Sequence, residues 1–398
     1  MTNPGVVIVG AGQAGFQAAA SLRLNGYDGQ VTLIGGEPHI PYQRPPLSKD
    51  FVAGKQEERH LFLRPASFYS TNRIDLLTGE TVTGIERASR SVRLTSGNSI
   101  PYATLILAAG ARIRKLPVPG ASYLRTLDDS IAIKDRLQTV EHVVIAGGGF
   151  IGLEIAAVAR GLGKSVTVVE VQPRLMPRVV SPVISDFYQK LHTGHGVEVV
   201  LGMGLSEIVA REVVLNDGTR RPADLVIAGI GVLPNVELAR DAGLAVGDGI
   251  LVDEHLRTED ENIYAIGDCA AHPNPFAGGR VRIESVQNAV DQAVCVAGAI
   301  AGRRKPYHDV PWFWTDQFDV KLQMAGLSSG YEHAVTRGDP ESRRFSVFYF
   351  QADRLLAVDS VNRPGDHMAG RKLLANRVPL TPEQAADESV DLKSLTAH

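Results

Sequence analysis

The sequence predicts an α/β fold of two Rossmann-like domains, the second inserted within the first, followed by a C-terminal α+β domain. Three observations predict it. Two glycine-rich turns share one form, Gly10-Ala-Gly12-Gln-Ala-Gly15 and Gly147-Gly-Gly149-Phe-Ile-Gly152; two strand ends read as crossings between domains; and from Val310 onward aromatic residues become dense and alternate as strands do.

Each turn lies between a short β-branched strand and a long Ala/Leu-rich helix. Val6-Val-Ile-Val9 precedes the first turn and Val143-Val-Ile145 the second. In such a unit the first glycine permits the tight turn, the second lets the backbone approach a pyrophosphate, and the third lets helix and strand pack closely. The helix N-terminus then faces the phosphates. One chain is therefore expected to hold two dinucleotides. The strand Val166-Thr-Val-Val169 ends in Glu170, where a carboxylate accepts hydrogen bonds from an adenosine ribose and repels a 2′-phosphate. This favours NAD over NADP, with Arg174 and Arg178 just downstream able to soften the preference.

At 398 residues the chain is long enough for two or three domains. A formal charge of −3, from 41 basic and 44 acidic residues, leaves no domain-wide basic field and argues against nucleic acid as a partner. No charged n-region precedes Val6, and later apolar runs are too short or too interrupted to span a bilayer, so no membrane association is expected and a cytoplasmic protein is. Cys269 and Cys295 lack any CxxC or metal-ligand spacing and read as buried small residues. His192 and His195 are the closest histidine pair, and no metal is expected.

The first unit opens with Val6 to Leu24 and the strand Val31-Thr-Leu-Ile34. The strand Ala103 to Leu107 ends in Ala109-Gly110, and Arg112 to Pro119, rich in Arg and Pro, reads as a crossing. The strand Leu225-Val-Ile-Ala228 runs into Gly229-Ile-Gly231-Val-Leu-Pro234-Asn235, which reads as the return. The expected division is residues 1–110 with 236–309, the insertion 111–235, and 310–398. After the return, the strand Ile263 to Ile266 leads into Gly267-Asp268, where glycine allows close backbone approach and the carboxylate suits a sugar-like hydroxyl chain.

On these residues, together with Pro41-Tyr-Gln-Arg44-Pro-Pro-Leu-Ser-Lys49, Arg125-Thr-Leu127, Glu284-Ser-Val-Gln-Asn-Ala289 and Phe313-Trp-Thr-Asp-Gln-Phe318, the chain resembles the FAD-dependent NADH:ferredoxin reductases of bacterial cytochrome P450 and Rieske oxygenase systems. These form the putidaredoxin reductase-like branch of the pyridine nucleotide-disulfide oxidoreductase superfamily, and the resemblance spans nearly the full length. It implies FAD on the first fold, NADH on the inserted one, and a C-terminal domain partly covering the flavin. Carried over by motif, Gly10, Gly12, Ala14 and Gly15 hold the FAD pyrophosphate and Asp268, with Gly267, the ribityl chain. Arg44, Lys49, Val82, Ala109, Gly110 and Arg125 match FAD-contacting positions. Glu284 and Ser285 also match FAD-contacting positions, Val286 would lie by the pyrimidine edge of the flavin, and Trp314 near the isoalloxazine. Gly147, Gly149, Phe150, Ile151, Gly152, Glu154, Glu170 and Gly231 match the NAD site.

One position departs from the pattern: Gly36 stands where such chains usually carry an acid, so Glu37, or backbone groups and water, are left to hold the first ribose. For the chemistry, Glu154 is placed to touch the nicotinamide carboxamide, with Lys49, from the first domain, facing it across the flavin. The stretch Pro41 to Asp50 has no cysteine, which argues against a disulfide reductase and, equally, a peroxide-reducing relative. Electrons then leave singly to a [2Fe-2S] ferredoxin, commonly acidic, for which Arg303-Arg304-Lys305 and Arg371-Lys372, with Arg363 and Arg377, are docking candidates. Alternatives are a rubredoxin or monodehydroascorbate reductase, or a redox-sensing interaction flavoprotein resembling apoptosis-inducing factor. The expected assembly is a monomer or weak homodimer.

Overall fold

The computed structural model describes residues 4–396, which form two compact units. The first comprises residues 4–43, Leu61–Arg112 and Leu233–Pro311; the second comprises Arg44–His60, Ile113–Val232 and residues 312–396. Residues 44–60, expected with the first unit, thus belong to the second. Packing explains it: Val52 is fully buried among second-unit residues, and Ser130 Oγ donates to the Leu47 carbonyl at 2.8 Å.

The first unit is built on a five-stranded parallel sheet. Its order is Ile263–Ala265, Thr104–Leu107, Val6–Val9, Val31–Gly35, Ile74–Thr78. Every residue of Val6–Val9 is buried, as expected of a strand covered on both faces. Helix Gln13–Leu24 packs on Val286–Ile300 through small residues such as Ala18, Ala19, Ala293 and Ala297, all fully buried. The strand order reverses between Val6–Val9 and Thr104–Leu107, and in open α/β sheets ligands bind outside the carboxyl ends of the strands at that reversal.

The second unit repeats this plan. Its parallel sheet runs Glu198–Leu201, Ser165–Glu170, His142–Ala146, Leu225–Ala228, Ser122–Tyr123, with the reversal between His142–Ala146 and Leu225–Ala228. The same unit contains an antiparallel sheet ordered Trp312–Gln317, Val320–Gly326, Arg354–Val361, Arg344–Gln351, His333–Asp339. Phe345, Val347 and Tyr349 share one core with Ile184, Phe187 and Tyr188 of helix Pro182–Gly194, which joins this sheet to the unit. Burying each such side chain contributes about 1.5–3 kcal/mol.

Candidate active site

The two glycine turns are built alike. Gly10 has φ +111° and Gly147 +110°, a region that side chains avoid. A Cβ on Gly10 would lie 2.1 Å from the Ala108 carbonyl oxygen, and one on Gly147 would lie 2.5 Å from that of Gly229. The third glycines are packed as tightly: a Cβ on Gly15 would stand 1.8 Å from Gly10 O, and one on Gly152 2.2 Å from Gly147 O. The middle glycines face open space, with nothing within 4 Å of a Cβ on Gly12 and only Gly229 O, at 3.9 Å, near one on Gly149. Gly12 and Gly149 are also the N-caps of their helices, with no side chain satisfying the first N–H groups. Each turn therefore leaves a backbone cradle with exposed donors, which fits a pyrophosphate.

In the first unit Gly267 closes on this cradle. Its φ is +74°, a Cβ there would come within 3.1 Å of Ala14 Cβ, and its N–H donates to Gln292 Oε1 at 2.7 Å. Sequence reasoning missed Gln292, which lies on helix Val286–Ile300 and pins the turn that presents Asp268. Ser285 caps that helix by accepting from the Asn288 N–H at 3.1 Å, while Glu284 pairs with Arg282 at 2.6 Å. Ala109 and Gly110 follow the neighbouring strand, their carbonyls taken by Asn235 Nδ2 at 2.8 Å and Asn235 N at 3.0 Å. Val82 is buried in the antiparallel sheet of Val82–Glu86, Ser91–Leu94 and Ser99–Pro101. After the strand Val31–Gly35, Gly36 is exposed, with Thr81 Oγ1 2.9 Å from where its Cβ would stand, and Glu37 accepts from the Tyr42 hydroxyl.

In the second unit Glu170 is buried and held from two sides. The Gly148 N–H donates to Oε2 at 2.7 Å and the Gln172 N–H to Oε1 at 2.9 Å, so the carboxylate shapes the glycine turn from the end of its strand. Arg174, one of the two arginines able to soften the NADH preference, spends most of its donors on its own segment. Its guanidinium donates to Val180 O at 2.8 Å, Ser185 Oγ at 2.6 Å and Pro177 O at 2.7 Å, binding its own loop. Arg178 lies beside Gly231, whose φ is +99° and whose carbonyl accepts from the Arg114 N–H at 2.9 Å. Phe150 packs on Phe313 with ring centroids 4.9 Å apart, and Ile151 is exposed.

Glu154, one turn into helix Phe150–Gly161, is 2 % exposed. Lys49 Nζ lies 2.8 Å from its Oε1, a direct ion pair rather than two groups facing one another across a ring. Two hydroxyls that the sequence reading passed over complete the shell: Thr315 Oγ1 donates to Oε1 at 2.6 Å and Ser48 Oγ to Oε2 at 2.5 Å. Both residues stand in stretches singled out for other members, Ser48 beside Lys49 and Thr315 beside Trp314. Trp314 itself is half-buried, 5.6 Å from the Trp312 ring, and Arg44 donates to the Arg125 carbonyl.

Cys269 is fully buried, but Cys295 is only partly so, its thiol donating to the Lys305 carbonyl at 3.4 Å. Burial pushes both thiols up to about 11, which suppresses the thiolate that disulfide exchange requires. Of the basic candidates, Arg303, Arg304, Lys305, Lys372 and Arg377 are exposed, whereas Arg363 is bound to Asp366 and Glu388 and Arg371 lies over the Trp312 ring at 4.8 Å. Among the described residues no group of three or more His, Cys, Asp and Glu is arranged to hold a metal, and no helix is long and apolar enough to cross a membrane.

Two glycine cradles at the reversals of two parallel sheets, a carboxylate at the end of the second strand of one of them, and an ion pair between Lys49 and the buried Glu154 define a dinucleotide-dependent oxidoreductase. The pyridine nucleotide-disulphide oxidoreductase family model matches residues 4–293 and the reductase C-terminal model residues 312–396. Rhodocoxin reductase of Rhodococcus erythropolis is 51 % identical over 98 % of this chain and 93 % of its own. The crystal structure of the ferredoxin reductase for the CYP199A2 system from Rhodopseudomonas palustris has a TM-score of 0.97 at 48 % identity, covering 99 % of this chain and 100 % of that one. That of the covalent putidaredoxin reductase–putidaredoxin complex also has a TM-score of 0.97, at 42 % identity and coverages of 100 % and 99 %. The chain belongs to the pyridine nucleotide-disulphide oxidoreductase family, in its branch of FAD-dependent, NADH-linked ferredoxin reductases.

Proposed function

We propose that the Gly10–Gly15 turn holds FAD as a resident cofactor, that the Gly147–Gly152 turn receives NADH, and that electrons leave to a [2Fe-2S] ferredoxin serving a cytochrome P450 or Rieske-type oxygenase. The observation that carries this reading is the matched construction of the two turns, open at Gly12 and Gly149 and closed at Gly15 and Gly152. FAD, when bound, supplies the conversion of a two-electron hydride donor into single-electron deliveries. The chain's own residues bind, orient and shield. Unsatisfied N–H groups at the start of each helix receive phosphate oxygens, and Glu170, each oxygen already anchored by one backbone N–H, keeps lone pairs for ribose hydroxyls. Glu154 and Lys49 are the catalytic pair, orienting the nicotinamide and countering charge as it moves.

The same reading assigns FAD to 1–110 with 236–309, of which 44–60 pack in the second compact unit, NADH to 111–235, and leaves 310–398 as a third part. It assigns Arg44, Arg125 and Trp314 to the flavin, and places the protein in the cytoplasm as a monomer or weak homodimer. The exposed cations Arg303, Arg304, Lys305, Lys372 and Arg377 suit an acidic partner. Steady-state NADH oxidation against purified [2Fe-2S] ferredoxins and a rubredoxin tests the acceptor: turnover with a ferredoxin supports the reading, and turnover confined to the rubredoxin replaces it. Charge reversal at Lys372 and Arg377 should weaken the reaction and flatten its salt dependence, and an unchanged profile would remove them from docking.

A further inference from the structure

Within the second unit the Lys49–Glu154 pair is the end of a longer buried chain. A carboxylate paired with an ammonium only accepts hydrogen bonds, so the hydroxyl protons of Ser48 and Thr315 are both committed to Glu154. Having given its proton away, Thr315 Oγ1 has only lone pairs left for its other neighbour, and Gln317 Nε2 stands 3.3 Å from it. That turns the Gln317 amide so that Oε1 faces His192 Nε2 at 2.9 Å. An amide oxygen cannot donate, so the proton in this contact is on His192 Nε2. His192 Nδ1 has no hydrogen-bond partner among the described residues. Thr315, Gln317 and His192 are each at most 1 % exposed.

We infer that Thr315, Gln317 and His192 are positioning residues for Glu154, forming a one-way hydrogen-bond chain that runs from the Nε2–H tautomer of His192 to the carboxylate and, with Ser48 donating separately to its other oxygen, locks it beside Lys49. Each member's donor or acceptor role is forced by the one before it. Burial keeps the His192 ring neutral, lowering its pKa to about 4, and a ring with one proton is what the chain requires. The chain also ties helix Phe150–Gly161, strand Trp312–Gln317 and helix Pro182–Gly194 to one acceptor. In a water-excluded site such a network fixes an orientation that a single ion pair on a flexible lysine does not.

The inference rests on the proposed role of Glu154, and two measurements separate the two. In ¹⁵N-histidine NMR of the FAD-loaded protein at neutral pH, His192 should be protonated at Nε2 and bare at Nδ1; the opposite tautomer overturns the chain. In stopped flow, Thr315→Val should slow flavin reduction by NADH about tenfold, Thr315→Ser should restore it, and Thr315→Val should add nothing in a Glu154→Gln background. A Thr315→Val variant that matches wild type while Glu154→Gln is slow overturns the positioning role. If Glu154→Gln itself is as fast as wild type, the role of the pair falls, and the tautomer alone decides whether the chain exists. Should Thr315→Val fail to fold, the same comparison is made with Gln317→Met. Its side chain neither donates to Thr315 nor accepts from His192 as an amide does, so it should slow reduction and shift the His192 ring signals; unchanged signals and rate overturn the inference.

Discussion

Lys49 Nζ stands 2.8 Å from Glu154 Oε1, with the Lys49 side chain 18 % exposed and that of Glu154 only 2 %. The asymmetry makes the two residues unequal partners. Removing the ammonium leaves a buried carboxylate held by two hydroxyls, whereas neutralising the carboxylate leaves a lysine that can still reach water.

Lys49→Met is therefore expected to lower stability by about 1–3 kcal/mol, whereas Glu154→Gln stays close to wild type in melting temperature. Both should slow flavin reduction by NADH, on the order of tenfold or about 1.4 kcal/mol. Stopped-flow reduction traces beside thermal melts of each variant check the split between rate and stability.

Gly12→Ala and Gly15→Ala separate binding from folding. A methyl on Gly12 meets nothing in the protein, so its melting temperature as apoprotein should be unchanged while FAD content falls. A methyl on Gly15 would meet Gly10 O at 1.8 Å, so that variant should lose about 1–3 kcal/mol even without cofactor. Flavin absorbance per chain and apoprotein melting report the two effects; equal behaviour of both variants would remove the distinction.

Glu170→Ala is expected to reduce the preference for NADH over NADPH by roughly one to two powers of ten, since it removes both the ribose acceptor and the anion that opposes a 2′-phosphate. Arg174→Ala should leave that ratio alone and instead loosen the loop it binds. The ratio of kcat/KM for the two coenzymes tells these apart, and a large shift in Arg174→Ala would show that its guanidinium reaches the coenzyme after all.

Burial raises Asp359 to about 7 from 3.8, with Tyr349 donating to it at 2.5 Å. Between those values the folded protein keeps a proton that the unfolded chain has released, so stability present at low pH is lost as pH rises from about 4 to about 7. Asp359→Asn, which cannot ionise, should raise the melting temperature at pH about 8 and change it little near pH 4. His192, His272 and His367, held by burial at about 4, act in the other direction: their contribution is full above about 6.5 and is lost as pH falls towards 4.

What was legible in the sequence were features written in contiguous residues. Strand, glycine turn and helix are adjacent in the chain, and period and turn chemistry report them directly, which is why both cradles and the strand ending in Glu170 were found. The shell of Glu154 comes from three segments, at Ser48, Glu154 and Thr315, and no local pattern announces that two hydroxyls will meet one carboxylate. The same holds for residues 44–60, whose polar and proline-rich composition says nothing of which core will take Val52. Arg174 is illegible for the opposite reason: it sits where a phosphate-binding arginine would, and only the carbonyls and the Ser185 hydroxyl around it reveal that three of its donors are already engaged.

The double capture of Glu170 by the Gly148 and Gln172 N–H groups has an evolutionary consequence. In the proposed role one carboxylate both selects the coenzyme and braces the turn that receives it, so a single exchange that admits NADPH also strips the turn of its support. Paths toward the phosphorylated coenzyme would then have to begin with neutral changes that brace the turn by other means, and only afterwards release the acid.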